Sequence, residues 1–136
     1  MANQNRIQLI EEMLDYYDLD TEVRFLTAIP RLLNEASRSR RIRDEQGSIT
    51  YAEYVFDTDA IYLNESAVRS DKQFILTLLQ EIDHAIEADE RGANQFADEY
   101  YAETENVGYY NNRYEIQAES FAEQNMNHWL NVLNSY

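Results

Sequence analysis

The sequence contains no cysteine, so it can form neither a disulfide nor a thiolate metal site, and this fits a reducing compartment. Proline and glycine are also scarce, at one and three of 136 residues, which favours helices over a turn-rich β-sandwich. There is no apolar run of about 18 residues that would predict a membrane-spanning helix. The N-terminus is amphipathic and acidic, unlike a secretory signal, so we expect a cytoplasmic domain.

Positive charge is scarce as well, because 11 lysines and arginines face 26 acidic residues and the formal net charge is −15. Such a charge repels nucleic acid and anionic membranes and attracts cations and basic surfaces. We therefore expect a protein or peptide partner of basic character, and no direct binding to nucleic acid or membrane. The charge is uneven: residues 81–123 hold 12 acids and two arginines, whereas residues 38–43 hold four arginines. Both segments are typical of a solvated surface.

The length fits one domain, and the chain has enough apolar residues for one core. Hydrophobic patterning predicts N-terminal helices over residues 5–36, a short antiparallel sheet over 49–64, a helix over 70–90, a short acidic helix over 93–104 and a final helix over 113–134. Pro30 would kink or divide the second N-terminal helix, which is predicted to begin near Thr21. Ser70 begins a capping-box pattern, and either Asn111 or Asn112 is expected to cap the final helix. The expected fold is α+β and mostly helical, in a single domain over residues 1–136.

The helix over 70–90 contains Gln80-Glu81-Ile82-Asp83-His84, which differs at one position from the HExxH motif of zinc peptidases. In that motif two histidines four residues apart point from one face of a helix at one metal ion. The glutamate between them polarises the metal-bound water and shuttles its proton. A third ligand comes from another helix, in one large branch as the glutamate of an ExxA sequence. The final helix carries such a sequence at Glu115-Ile116-Gln117-Ala118.

These segments resemble the zincin fold and, within it, the ImmA/IrrE-like peptidases, whose second signature has the form E-x-[EQ]-A-x-x-F-A. The sequence EIQAESFA, residues 115–122, fits that form, and the resemblance covers about residues 49–125. The strand AIYLN, residues 60–64, resembles the zincin edge strand that binds the substrate backbone. The resemblance implies a zincin-like domain with zinc as its cofactor. It implies metal-ligand positions at Gln80, His84 and Glu115, and a catalytic general base at Glu81.

Gln80 departs from the family, which has its first histidine ligand at this position. A carboxamide oxygen binds zinc less well than a neutral imidazole, so zinc would be held weakly or not at all. Three interpretations are open: a peptidase fold reused for binding, a substitution that silences an enzyme, and a site for a harder cation such as Mn²⁺ or Ca²⁺, helped by Glu115 and Glu119. The implied function is a zinc metallopeptidase-like protein that is inactive or inactivated at Gln80. It would act on or bind a protein such as a repressor or another regulator.

The same residues also have structural interpretations. His84 fits a core or surface histidine, Glu81 fits a solvated helix acid, and Glu115 fits the acid of a capping box with Asn112. Glu119 and Glu123 are expected to face solvent, and His128 to pack near Trp129. Four tyrosines near the loop before the final helix are expected to pack rather than bind: Tyr100, Tyr101, Tyr109 and Tyr110.

A different class of function is also open. An acidic helical domain can imitate the phosphate backbone of DNA and occupy a nucleic-acid-binding protein, as small phage inhibitors do. Such a protein performs no chemistry, and its affinity for a basic partner falls as salt rises.

Overall fold

The computed structural model describes residues 3–26, 51–65 and 68–136. In chain order these residues form α1 (Gln4–Tyr16), β1 (Glu22–Leu26), β2 (Ala52–Val55), β3 (Ala60–Asn64), α2 (Asp71–Arg91), α3 (Ala93–Val107) and α4 (Arg113–Asn134). The fold is therefore α+β and mostly helical, which confirms the predicted class.

The three strands form one mixed sheet in the order β1-β3-β2. Strand β2 runs antiparallel to β3, with Val55 opposite Ala60, as predicted. The turn between them ends at Asp59, which has a φ of +48° in the left-handed region that aspartate tolerates better than most residues. The Asp59 carboxylate accepts hydrogen bonds from the hydroxyls of Tyr54 at 2.8 Å and Thr21 at 2.9 Å. These bonds fasten the turn to the segment that leads into β1.

Strand β1 runs parallel to β3, with Glu22 opposite Ala60. The prediction of a helix beginning near Thr21 is therefore wrong for residues 22–26. Val23 and Leu26 fit a helical spacing, but Val23 and Phe25 are also strand formers, and pairing with β3 decides between the two. The rest of that predicted helix, residues 27–36, and the arginine segment 38–43 lie outside the described residues.

The expectation that residues 60–64 resemble an edge strand is also wrong. These residues form β3, which pairs with β1 on one side and with β2 on the other. Its backbone hydrogen-bonding groups are therefore used within the sheet.

Helix α2 is the central element of the core. The hydroxyl oxygen of Ser70 accepts the backbone N–H of Gln73 at 3.1 Å, so the predicted cap forms, and the helix ends at Gly92, whose φ is +89°. The sequence predicts a stripe of seven apolar residues on this helix, and Ile86 among them is only partly buried. The other six are buried: Phe74, Ile75, Leu78, Leu79, Ile82 and Ala85. Burying each of the larger side chains contributes about 1.5–3 kcal/mol, and α2 is covered by the sheet, α3 and α4.

Helix α4 packs along α2. Asn112 is its N-cap, and the helix has the bounds predicted from the sequence. Ala118 and Ala122 lie on its buried face, where small side chains allow the two helix axes to approach closely. This approach places Glu115, in the first turn of α4, beside the middle of α2.

Helix α1 is joined to both long helices. The Arg6 guanidinium lies 2.9 Å from the Asp71 carboxylate at the start of α2, and the Trp129 indole N–H of α4 donates to the Tyr17 hydroxyl at 3.1 Å. Within the described ranges, every helix is too short or too polar to cross a lipid bilayer.

Candidate metal centre

His84 of α2 and Glu115 of α4 meet in the interior, between the two helices. The Nε2 atom of His84 lies 3.3 Å from Oε2 of Glu115, and the two side chains are 3% and 10% exposed. The sequence predicts this pairing across a gap of 31 residues. The structure brings the two groups together because α3 returns the chain so that α4 packs against α2.

The distance between these atoms fits two ligands of one metal ion. Zinc binds imidazole nitrogen and carboxylate oxygen at about 2.0–2.2 Å, so two such atoms at a tetrahedral angle lie roughly 3.3–3.5 Å apart. The observed 3.3 Å falls within that interval, and it is also an ion-pair distance between the two side chains themselves.

Gln80 and Glu81 lie one turn before His84 on α2. Gln80 precedes His84 by four residues, so the helical repeat places both on one face, and its side chain is half-buried. Glu81 is 1% exposed, so it is not the solvated acid of the structural interpretation. The structure thus brings His84 and Glu115 into direct proximity and places the other two predicted residues on the adjacent turn of α2.

The donor set fits zinc only in part. In residues 3–26, 51–65 and 68–136, no group of three or more His, Cys, Asp and Glu side chains is arranged to hold a metal ion. His84 and Glu115 supply two strong donors, and the third position that the motif implies holds the weakly basic carboxamide of Gln80.

Glu115 faces the helix interface. Its Oε2 atom accepts a hydrogen bond from the Tyr100 hydroxyl, in addition to its position beside His84. The backbone N–H of Asn112, which a capping-box acid would accept, donates to the Tyr109 carbonyl at 3.2 Å. The capping-box interpretation of Glu115 is therefore not supported by the position of its carboxylate.

Tyr100 is a site residue that sequence reasoning missed. The sequence predicts only packing for it, and it does pack, being 1% exposed with its ring perpendicular to the His84 ring at 5.8 Å. Its hydroxyl, however, reaches a candidate ligand. One signal was available: Phe96 and Tyr100 lie four residues apart and mark the buried face of α3, and a buried tyrosine hydroxyl usually needs a polar partner.

Gln117, part of the ExxA segment, bridges two acids of α2. Its Nε2 atom donates to Asp83 Oδ2 at 3.1 Å and to Glu87 Oε1 at 2.8 Å. Burial raises the pKa of the Asp83 carboxyl, although the hydrogen bond from Gln117 opposes this. Burial also acts to raise the pKa of Glu87, but hydrogen bonds from Gln117 and Arg91 outweigh it, so the net shift is downward.

A second polar chain links the same helices further out. Arg91 lies 2.6 Å from Glu87 and 3.1 Å from Glu99 of α3, and the Tyr114 hydroxyl of α4 donates to Glu99 at 2.9 Å. These contacts fix the relative positions of α2, α3 and α4 around the pair of His84 and Glu115.

Much of the acidic charge is on the surface. Six acids of residues 81–123 are exposed: Asp89, Glu90, Asp98, Glu105, Glu119 and Glu123. The prediction that Glu119 and Glu123 face solvent is confirmed. His128 packs against Trp129 with ring centres 4.8 Å apart, also as predicted.

Comparisons with protein-family models, with curated proteins and with solved structures returned no match. The resemblance to zincins stays a prediction that depends on the residues themselves.

Proposed function

We propose that the protein is a zinc metallopeptidase-like domain whose metal site is degenerate at Gln80 and which binds a protein partner instead of cleaving it. The supporting observation is the 3.3 Å separation of His84 Nε2 and Glu115 Oε2 in a buried interface. Glu81, in the general-base position, lies on the preceding turn of α2 and is buried.

Binding without hydrolysis follows from the donor set. A catalytic zinc site usually has three protein ligands that hold the ion firmly, because the ion must lower the pKa of its bound water. Replacing an imidazole by the carboxamide of Gln80 weakens both the binding of the ion and the activation of its bound water. The partner is a basic protein or peptide, since the net charge of −15 attracts such surfaces.

The first experiment restores the ligand. In Gln80→His, His84 and Glu115 would form a complete zinc triad with the new imidazole. We expect about one equivalent of zinc per chain after dialysis against trace zinc, and much less in the unaltered protein. Metal content is measured by plasma mass spectrometry.

Two control variants make the result specific. Gln73→His places a histidine at another half-buried position of α2, about two turns earlier, and should bind no stoichiometric zinc. His84→Ala in the Gln80→His background should lose the metal. If Gln80→His remains free of zinc, or keeps its zinc without His84, the ligand assignment and the proposed function both fail.

Restored chemistry is a separate measurement. If the zincin resemblance extends to mechanism, zinc-loaded Gln80→His should hydrolyse an unstructured basic protein such as protamine, and adding Glu81→Gln should abolish the cleavage because the general base is lost. Cleavage that persists in the Glu81→Gln variant would contradict the role of Glu81.

The exposed acids favour a second candidate function. The protein would act as a non-enzymatic inhibitor that imitates the phosphate backbone of DNA and occupies a basic nucleic-acid-binding surface. In support, the six exposed acids lie on the end of α2, on α3 and on α4. Affinity for a decalysine probe should fall steeply between about 50 and 500 mM salt, and less steeply in Glu119→Gln/Glu123→Gln. Affinity that does not change with salt would contradict this candidate.

A further inference from the structure

A cavity of about 270 Å³ lies between the segment that follows α1, the turn before β3 and the junction of α2 with α3. It is lined by four aspartates, each exposed to solvent: Asp18, Asp20, Asp59 and Asp89. Neither lysine nor arginine is among the described residues that line it. The four carboxylates therefore repel one another, and a cation bound in the cavity would relieve this repulsion.

Part of the lining is apolar. Ala85 and Ala88 come from α2 and Ala93 from the first turn of α3. Because these side chains are short, they leave room that a longer side chain can fill. A hydrated metal ion gains nothing from an apolar wall, whereas lysine and arginine pack their methylene groups against such a wall and keep the charged end among polar groups. The lining therefore favours a basic side chain over a metal ion.

Asp59 is held in place before any ligand arrives. The hydroxyls of Tyr54 and Thr21 both donate to its Oδ1 atom, at 2.8 and 2.9 Å. In the part of the chain that the structure describes, Oδ2 of Asp59 therefore keeps its acceptor sites for a ligand. Burial raises the pKa of the Tyr54 hydroxyl, and the hydrogen bond to Asp59 and the charges of Asp59 and Asp89 raise it further. Two of the aspartates thus act on one buried hydroxyl at the cavity, although they come from different elements of the fold.

We propose that this cavity binds one arginine side chain of a basic protein partner. A guanidinium presents several N–H donors in one plane and can contact more than one carboxylate, whereas an ammonium is a compact and strongly hydrated point charge. The volume of about 270 Å³ lies below the range of about 300–1,000 Å³ for pockets that enclose drug-sized ligands, and it suits a single side chain. The inference rests on the basic partner of the proposed function, and it does not require a metal ion at His84 and Glu115.

The first test fills the cavity without changing the net charge. Binding of a fluorescein-labelled hexaarginine peptide to the unaltered protein and to Ala93→Leu is measured by fluorescence anisotropy. We expect Ala93→Leu to bind about 3–10-fold more weakly, because leucine occupies the space and the contacts with the aspartates are lost. Ala102→Leu, at an exposed position of the same helix, is the matched control and should bind as the unaltered protein does. Hexalysine has the same charge and should bind the unaltered protein more weakly than hexaarginine.

The second test removes charge from the cavity. Asp59→Asn/Asp89→Asn should weaken hexaarginine binding by a similar factor of about 3–10. Asparagine tolerates the φ of +48° at position 59, and its side-chain oxygen can still accept the hydroxyls of Tyr54 and Thr21. Asp98→Asn/Glu105→Gln removes the same charge from exposed positions of α3 that do not line the cavity. At physiological salt this control should weaken binding about twofold at most, because charges beyond roughly 8 Å are screened.

The outcomes separate the cavity from the proposed function. If the unaltered protein does not bind hexaarginine at low salt, the basic partner and this inference both fail. If it binds, but Ala93→Leu matches Ala102→Leu or the aspartate pair matters no more than the α3 pair, the cavity assignment is overturned and the basic partner stands. Hexalysine binding as tight as that of hexaarginine would overturn it too, as would displacement of the peptide by Ca²⁺ at an ionic strength at which Na⁺ has no effect. Zinc uptake by Gln80→His remains a separate result, on the metal site alone.

Discussion

Replacing Asn112 by alanine should destabilise the domain far more than any other asparagine change in the loop before α4. Asn112 is completely buried, and its side chain makes three hydrogen bonds. Oδ1 accepts the backbone N–H of Tyr114 at 2.8 Å, which caps α4. Nδ2 donates to the Tyr100 carbonyl at 3.1 Å and to the Thr104 hydroxyl at 2.9 Å. The residue therefore joins α3 to the start of α4.

The magnitude follows from these bonds. Loss of an asparagine N-cap costs about 1 kcal/mol. Losing the bond from Nδ2 to the Tyr100 carbonyl costs a further 0.5–1.5 kcal/mol or so, because that carbonyl lies in the middle of α3 and keeps its helical hydrogen bond. The Thr104 hydroxyl can rotate to another partner, so loss of its bond to Asn112 should cost little free energy. Asn112→Ala should thus lower the unfolding free energy by about 1.5–2.5 kcal/mol. The Tm should fall by roughly 6–10 °C for a chain of this length.

Urea denaturation followed by circular dichroism measures the change, and Asn111→Ala is the control. Asn111 is exposed, and its side chain donates to the Val107 carbonyl at 3.2 Å, so the loss of stability in Asn111→Ala should be much smaller. Asn112→Asp provides a second comparison, because it keeps the capping oxygen but turns an acceptor towards the Tyr100 carbonyl. Its free energy of unfolding should be no higher than that of Asn112→Ala. If Asn112→Ala unfolds within about 0.5 kcal/mol of Asn111→Ala, the reasoning from buried hydrogen bonds is refuted.

Two further predictions concern charged groups. Arg6→Lys should lower the unfolding free energy, measured by urea denaturation, by about 1–2 kcal/mol. The reason is that one ammonium cannot reach both the Asp71 carboxylate and the two backbone carbonyls that the Arg6 guanidinium contacts. Arg24→Lys, at an exposed ion pair, should leave the unfolding free energy unchanged. Asp83→Asn should raise the Tm at pH 7, because burial raises the folded pKa of Asp83 and ionising it therefore opposes folding. The destabilisation is complete above the folded pKa and absent below the ordinary value of 3.8, so the advantage of Asp83→Asn should shrink as the pH falls; a constant advantage would contradict the assignment.

The long helices could be predicted because their ends are marked by local signals. Ser70 caps α2 through its own hydroxyl, Gly92 ends it in the left-handed region, and Asn112 caps α4. Each signal acts over a few residues, so the sequence alone carries it. Helix α3 extends three residues beyond the predicted end at 104, up to the residue before Gly108, whose φ is +84°.

Strand β1 could not be predicted in the same way. Residues 22–26 carry both a helical spacing and strand-forming side chains, and the choice depends on an edge of β3 that lies almost 40 residues further along the chain. β3 is the central strand because β1 pairs with one side of it and β2 with the other. Local patterning did not reveal β1, so it could not reveal this position either.

The candidate site also has a part that local sequence predicts and a part that depends on long-range packing. The spacing of Gln80, Glu81 and His84 is a local property of one helix, and a motif can express it. The contact of Tyr100 with Glu115 depends on how α3 crosses between α2 and α4. A sequence motif names the groups that would face a cation, whereas the groups that hold those ligands in place come from elsewhere in the fold.

Under the proposed function, this arrangement would also explain how the fold tolerates glutamine at position 80. His84, Glu115 and Tyr100 contact one another within the helix interface, so the carboxylate is stabilised by protein groups whether or not a cation is present. Gln80 itself is only half-buried and adds no charge to the interior. The packing of α2 against α4 therefore does not depend on a metal, and under the proposed function a weak ligand at position 80 would cost little stability. The Gln80→His variant should accordingly fold with or without zinc, and its Tm should rise only when zinc is added.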